Sequence, residues 1–275
     1  MSNLNPQFIS ARDLGDAWFQ CLYRILDEGY MFTIDRGSYA GQKRLEFDYA
    51  MILIKFPGTR PLLPQIEAHH SIPNPVADDY LDDYVSYLMT GDMKPGESYT
   101  YGQRMNKEHI DYAITARKTE ELKEILIQDE EVYKNRNIIP DNYEGDRVVS
   151  WDLNQIELLI WTYKNKGYRN NQMILQVAKP TDMLLQDPPC LRHIDTRIQD
   201  GKLHFYPYFR SWDLWGGFPA NLGGIQLMKE YVAAEIGVED GEIIATSKGL
   251  HLYDHCFELA KCLRMNENIE LKEGV

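Results

Sequence analysis

The sequence predicts an α+β fold: one domain spanning residues 1–275, built around one large β-sheet flanked by helices. Three observations predict it. Strand-like and helix-like segments mix without strict alternation. Residues 192–209, "RHIDTRIQDGKLHFYPYF", read as a β-hairpin turning at Asp200-Gly201. No internal repeat, low-complexity tract or Gly/Ser linker divides the chain.

Each element has a local reason. Ser10 is placed to cap the first helix, with Asp13 as its capping-box partner and Ile9 and Leu14 as a hydrophobic staple. Leu14, Trp18, Leu22, Ile25 and Leu26 then recur at helical spacing. "LEFDYAMILIKF" (45–56) reads as one long strand. Residues 119–128 and 153–167 read as helices, the second closed by Gly167. "QMILQVA" (172–178) reads as a strand that precedes the hairpin. "GGIQLMKEYVAAEIG" reads as a helix ending at Gly237, "GEIIATSKG" as a strand, and "LYDHCFELAKCLR" as the last helix.

Composition narrows the function. The chain has 275 residues, 44% of them hydrophobic, enough for a full core. Its net charge of −13 repels nucleic acid and anionic membranes, so neither is expected as a main partner. The start resembles no signal peptide, and the longest apolar run, near "AMILIKF", is too short to span a bilayer. That run suits a strand buried on both faces. Cys21, Cys190, Cys256 and Cys262 are scattered without CxxC pairs, which suits free thiols in a reducing cytoplasm and no metal site.

One stretch stands out. In "DPPCLRH" (187–193) two prolines stiffen the chain before Cys190. The hairpin brings its two ends together, so "RSWD" (210–213) places Arg210 near Cys190. A guanidinium there favours the thiolate and can grip an anion bidentately. Asn221 follows in "GFPAN", just ahead of the expected helix, and its amide offers a donor and an acceptor side by side, as the edge of a uracil ring requires. His251 and Tyr253 in "HLY" would share one side of an extended chain and could hold one hydroxyl. Each residue also has a plainer reading. A lone cysteine is most often core, and an asparagine beside a helix start is most often a cap.

The ordered set "PPC", "RSWD", "GFPAN", "HLY" resembles the thymidylate synthase family in order and spacing. The likeness is close over roughly 172–260. "DRGSYAGQKRLEF" (35–47) resembles the family's phosphate-binding Asp-Arg loop, and "YTYGQR" (99–104) its Tyr-Gly motif. "PPCLR" and "FRSWDLWGGFPANLGG" resemble the divergent archaeal-type branch. The resemblance implies a large mixed β-sheet flanked by helices, a homodimer, and reductive methylation of dUMP to dTMP. Cys190 would attack C6 of the pyrimidine. Arg210, Ser211 and Arg36 would hold the phosphate, and Asn221 the uracil edge. His251 and Tyr253 would hold the 3′-hydroxyl, Asp213 the pterin, and Tyr101 would assist loss of the C5 proton. The carbon would come from 5,10-methylene-tetrahydrofolate or a related tetrahydropterin.

The departures from the family pattern are as informative. Leu191, Phe209 and Asp195 replace a His and two Gln, and "SKGL" replaces the glycine-aspartate before "HLY". Asn171 and Gln172 stand where the family donates two arginines to its partner's phosphate, with Arg169 close by. Tyr84, flanked by Asp82 and Asp83, stands where the family has a catalytic glutamate. A tryptophan that shields the one-carbon intermediate has no match, and "LKEGV" departs from the family's closing C-terminus. These changes keep two alternatives open: a pyrimidine nucleotide 5-hydroxymethylase using the same cysteine adduct, and an inactive nucleotide-binding homologue.

Overall fold

The computed structural model describes residues 4–35, 39–77, 79–113, 133–139, 148–265 and 269–273. Strand β1 (Gln7–Ala11) leads into helix α1 (Leu14–Glu28), and strands β2 (Tyr30–Thr33), β3 (Lys43–Glu46) and β4 (Ala50–Ile54) follow. Helices α2 (Tyr80–Met89) and α3 (Tyr101–Asn106) precede strands β5 (Glu108–Ala113) and β6 (Val148–Leu153). Next come helix α4 (Gln155–Lys166), strand β7 (Ile174–Gln176) and the hairpin β8 (Leu191–Gln199) and β9 (Lys202–Phe209). The chain continues through β10 (Trp212–Asp213), α5 (Gly217–Ile236), β11 (Glu239–Ser247), β12 (Leu250–Tyr253), α6 (Phe257–Leu263) and β13 (Lys272–Glu273).

The large sheet is mixed and six-stranded, in the order β1-β4-β11-β9-β8-β7. A second sheet, β10-β12-β3-β2-β13, stands beside it, and β5 pairs with β6. Helix α5 packs against α1, α2 and α4. On the large sheet every second side chain faces the core: Ala50, Ile52 and Ile54 of β4 are buried, whereas Met51 is 41% exposed. Burial of this run on both faces is therefore not met within one chain.

Long-range pairing overrides two local signals. The expected strand over 45–56 breaks between Glu46 and Ala50, because its halves belong to different sheets. The break is held by Asp48, whose carboxylate accepts from Asn5 N at 2.7 Å, and by Phe47 N donating to Leu250 O at 3.0 Å. Ser10 caps no helix. It pairs with Leu53 inside the β1–β4 ladder, and Asp13 caps α1 by accepting from Asp16 N at 2.9 Å. The buried stripe of α1 is the predicted one, from Leu14 to Leu26.

The hairpin follows its local signal. Asp200 and Gly201 both have positive φ (52° and 74°), the geometry that matches the strand twist. Gly167, at φ +89°, follows α4, and Gly237, at φ +85°, follows α5. Helix α5 begins earlier than the glycine pair 223–224, so Asn221 lies inside it. The last helix is shorter than expected, since β12 runs to Tyr253 and a 3₁₀ turn over Asp254–Cys256 follows. The expected helix at 119–128 lies outside the described residues. Among the described residues no helix is long and apolar enough to cross a membrane.

Candidate active site

The prolines before Cys190 do more than stiffen a turn, because their carbonyls are gripped. Arg210 Nε donates to Pro189 O at 3.2 Å, and its Nη2 reaches Pro188 O and the Asp187 carboxylate. Arg210 N donates to Cys190 O at 2.8 Å across the mouth of the hairpin. Arg192 Nη1 takes the same Pro189 carbonyl at 3.2 Å and also reaches Asp182. Asp182, 1% exposed, accepts from Arg104 at 2.8 Å, from Arg192 at 3.2 Å and from Lys179 N at 2.8 Å. Burial alone would raise its carboxyl pKa, but the Lys179 N–H and the two guanidinium groups hold it below the usual range.

Tyr101 reaches this loop from another element. Thr100 caps α3 by accepting from Gln103 N at 2.8 Å, which presents Tyr101 on the first turn. Its hydroxyl accepts from Leu191 N at 3.2 Å, one residue past the thiol. Gly102 explains the Tyr-Gly pair. A Cβ there would press into the carbonyl oxygens of Tyr87 and Thr90 at the end of α2. Burial first, and the neighbouring Cys190 second, push the Tyr101 phenol well above its ordinary pKa.

The Cys190 thiol itself departs from expectation. Arg210 does favour the thiolate, but burial outweighs it and raises the pKa; Asp187 adds to the rise. The free protein therefore keeps the thiol proton. The guanidinium is largely spent on the carbonyls and the carboxylate of its own loop.

One face of the second sheet forms a further wall. Pairing sets Asp213 opposite His251, His251 opposite Glu46, Tyr253 opposite Arg44, and Arg44 opposite Phe32. His251 and Tyr253 do share a side, their rings 4.7 Å apart edge to face. His251 is 2% exposed; its Nδ1 lies 2.9 Å from Gly249 O, so Nδ1 carries the proton and Nε2 is an acceptor with no partner among the described residues. Burial pushes its pKa down to about 4, so the ring is neutral. Arg44 and Glu46 pair at 2.8 Å, yet burial pushes the Glu46 carboxyl up to about 7. That carboxyl sits over Gly249, at φ +113°, where a Cβ would lie 3.2 Å from it. The glycine of "SKGL" thus makes room for a carboxylate supplied by another strand.

Asp213 has its oxygens turned toward α5. They accept from Trp215 N at 3.2 Å, Gly216 N at 3.0 Å and Gly217 N at 2.8 Å, which anchors the first turn and explains the early helix start. Asn221 is no cap. Its Oδ1 accepts from Trp212 Nε1 at 3.0 Å and its Nδ2 donates to Tyr84 Oη at 2.6 Å. Tyr84 faces inward, whereas Asp82 and Asp83 lie on the exposed side of α2.

The structure thus gathers Cys190, Tyr101 and Arg210 at one loop, and Asp213, His251 and Tyr253 on one sheet face. The Arg44 charge acts on both Cys190 and Tyr253, which links the two groups. Ser211 is half-buried at the bend between β9 and β10. Arg36 lies outside the described residues. Arg169 is not brought to Cys190. It is exposed, in a cavity of about 290 Å³ that it shares with Asn171 and Arg197. A larger cavity, about 700 Å³, lies between the 55–59 loop and the start of β9, and none of the candidate residues lines it. Sequence reasoning missed Arg44, Glu46, Arg192, Asp182 and Trp212. Only the i, i+2 spacing of Arg44 and Glu46 in a strand hinted that they share a face.

A sequence profile of the thymidylate synthase family matches residues 90–271, more than half of the chain. A Methanosarcina acetivorans protein, provisionally named a thymidylate synthase, is 29% identical over 255 residues, 93% of each chain. A Methanothermobacter thermautotrophicus protein of the same provisional name is 24% identical over 264 residues, 92% of this chain and 96% of that one. The thymidylate synthase of Listeria monocytogenes is 26% identical over 182 residues, 64% of this chain and 57% of that protein. With its matched profile, its mixed sheets flanked by helices and its archaeal relatives along nearly the whole length, this chain belongs to the thymidylate synthase family.

Proposed function

We propose that the protein methylates the pyrimidine of dUMP at C5, giving dTMP, through a covalent adduct between Cys190 Sγ and C6. The observation that carries this reading is the clamped loop. Arg210 and Arg192 hold the carbonyls ahead of the thiol, and Tyr101 holds the N–H behind it. A cysteine needed only for packing has no use for three converging polar side chains. Covalent addition turns an unreactive vinyl carbon into a nucleophile, dividing a hard substitution into easier steps.

The remaining residues take matching roles. Arg210, Ser211 and Arg36 hold the phosphate. The unpartnered Nε2 of His251 accepts from a sugar hydroxyl that Tyr253 shares. Asn221 meets the base edge, and Tyr101 assists loss of the C5 proton. A carboxylate offers about four acceptor sites. Three N–H groups occupy Asp213, which leaves one for an N–H of a tetrahydropterin such as 5,10-methylene-tetrahydrofolate. That group, when bound, supplies the one-carbon unit and the reducing equivalent.

The assembly we propose is a cytoplasmic homodimer. Phe8, Met51, Thr246 and Tyr208 form one row across four strands on the outer face of the large sheet, and Phe8 is 59% exposed. A second copy would cover this face and could bring Arg169 to its neighbour's phosphate. A monomer at micromolar concentration by light scattering would contradict it.

The test of the reaction uses dUMP tritiated at C5 with methylene-tetrahydrofolate, and mass analysis of the nucleotide. Tritium release with a gained methyl supports the proposal. Release with a gained hydroxymethyl makes the protein a hydroxymethylase with the same nucleophile. No release with folate or with modified tetrahydropterins refutes both.

A further inference from the structure

The amide of Asn221 is locked in one orientation. An indole N–H can only donate, so the Asn221 atom 3.0 Å from Trp212 Nε1 is the oxygen. Trp212 has no freedom to move away. It is 1% exposed, stacked on Phe209 with ring centroids 3.9 Å apart, and flanked by Phe218 at 4.5 Å. The amide nitrogen must then face Tyr84, 2.6 Å away. An NH₂ group only donates, so the phenol oxygen accepts. Its own hydrogen points elsewhere, and no acceptor for it is found among the described residues.

The Tyr84 ring is held as firmly. A Cβ on Gly224 would lie 2.5 and 2.7 Å from its ring carbons, so the bare helix backbone makes its seat. Tyr80 stacks on it with centroids 5.7 Å apart. Burial first, and Tyr101 second, raise the phenol pKa well above its ordinary value, so it keeps its hydrogen. Tyr101 in turn interacts with Cys190. Both Asn221 and Tyr84 are partly exposed.

We propose that Tyr84 is a specificity-determining residue: its phenol O–H and the second N–H of Asn221 form a two-donor clamp for a carbonyl oxygen at position 4 of a pyrimidine, selecting a 4-oxo base over a 4-amino base. This rests on the nucleotide reading above. A free asparagine could flip and accept from an amino group; the Trp212 indole forbids that flip. A 4-amino group offers no acceptor to either donor. It could bond the Tyr84 oxygen only with the phenol hydrogen turned away to where no acceptor is found among the described residues, and the second N–H of Asn221 would go unpaired.

Titration calorimetry of the full chain with dUMP and with dCMP, without pterin, tests it. The unaltered protein should bind dUMP more tightly. Tyr84→Phe should weaken dUMP about three- to tenfold, the loss of one hydrogen bond, and leave dCMP unchanged. Gly224→Ala, which displaces the ring, should shift the ratio the same way, with circular dichroism checking that the variant folds. If Tyr84→Phe keeps the dUMP-to-dCMP ratio, the proposal is overturned even where the unaltered protein releases C5 tritium from dUMP. Equal binding of both nucleotides by the unaltered protein also overturns it. Binding of neither overturns the nucleotide reading and this proposal with it.

Discussion

Asp182→Asn removes one negative charge from the interior while keeping its volume. Arg104 is 6% exposed and Asp182 1%, so water cannot screen what remains. Arg104, paired at 2.8 Å, and Arg192, paired at 3.2 Å, would both lose their counter-charge, and one acceptor oxygen would remain where two now serve them and Lys179 N. Breaking a buried ion pair by removing one member costs about 3–5 kcal/mol. The same change on the surface costs about 0–1 kcal/mol. For a chain of this size that is a fall in Tm on the order of 6–20 °C. Urea unfolding at pH 7, followed by far-ultraviolet circular dichroism, should show a lower midpoint at unchanged m. The sign with pH is set by a folded carboxyl held below its ordinary value of 3.8. Its stabilisation is complete above that value and is lost as pH falls through the folded one, so the deficit of the variant should shrink below about pH 4. Arg192 also holds Pro189 O, so the thiol of Cys190 should alkylate faster in the variant. A loss under about 1 kcal/mol at pH 7 would show that the cluster behaves as a surface pair, and would refute the reasoning.

Three further outcomes are expected. Cys190→Ala should abolish tritium release from C5-labelled dUMP while calorimetry still detects dUMP binding; release by the variant would remove the thiol from the mechanism. Gly102→Ala should cost about 3 kcal/mol and lower tritium release, because the new Cβ meets backbone oxygens of α2 and displaces Tyr101 from Leu191; unchanged unfolding and activity would contradict the packing. His251, held near 4 against an ordinary 6.5, binds its proton more weakly folded than unfolded. Stability should therefore fall as pH drops from 6.5 toward 4, and His251→Asn should flatten that slope; equal slopes would mean the ring is not buried neutral.

How much was legible varied with the range of the interaction involved. The hairpin was readable because Asp200-Gly201 needs only its own backbone preferences to turn. The α1 stripe and the glycines after α4 and α5 are local in the same sense. The start of α1 was misread because β1 pairs with β4, forty-three residues on at Gln7↔Ala50, and that ladder carries Ser10 past the point where a cap would begin. The break inside 45–56 has the same cause: two sheets compete for one apolar run.

At the site, the sequence alone determined which residues would be chemically equipped: a proline-stiffened cysteine, an arginine returned to it by a two-residue turn, and a histidine and a tyrosine spaced for one face. These follow from connectivity and short-range geometry. Only the tertiary structure decided their states. Whether Cys190 is a thiol or a thiolate depends on the balance between Arg210 and burial, and burial is a property of everything packed around it. Which way the Asn221 amide points depends on an indole nine residues back and a phenol on another helix. Which carboxylate stands over Gly249 depends on strand pairing between β3 and β12. Desolvation and side-chain hydrogen bonding arise between elements distant in the chain, so a linear pattern can name the participants without giving their protonation or orientation.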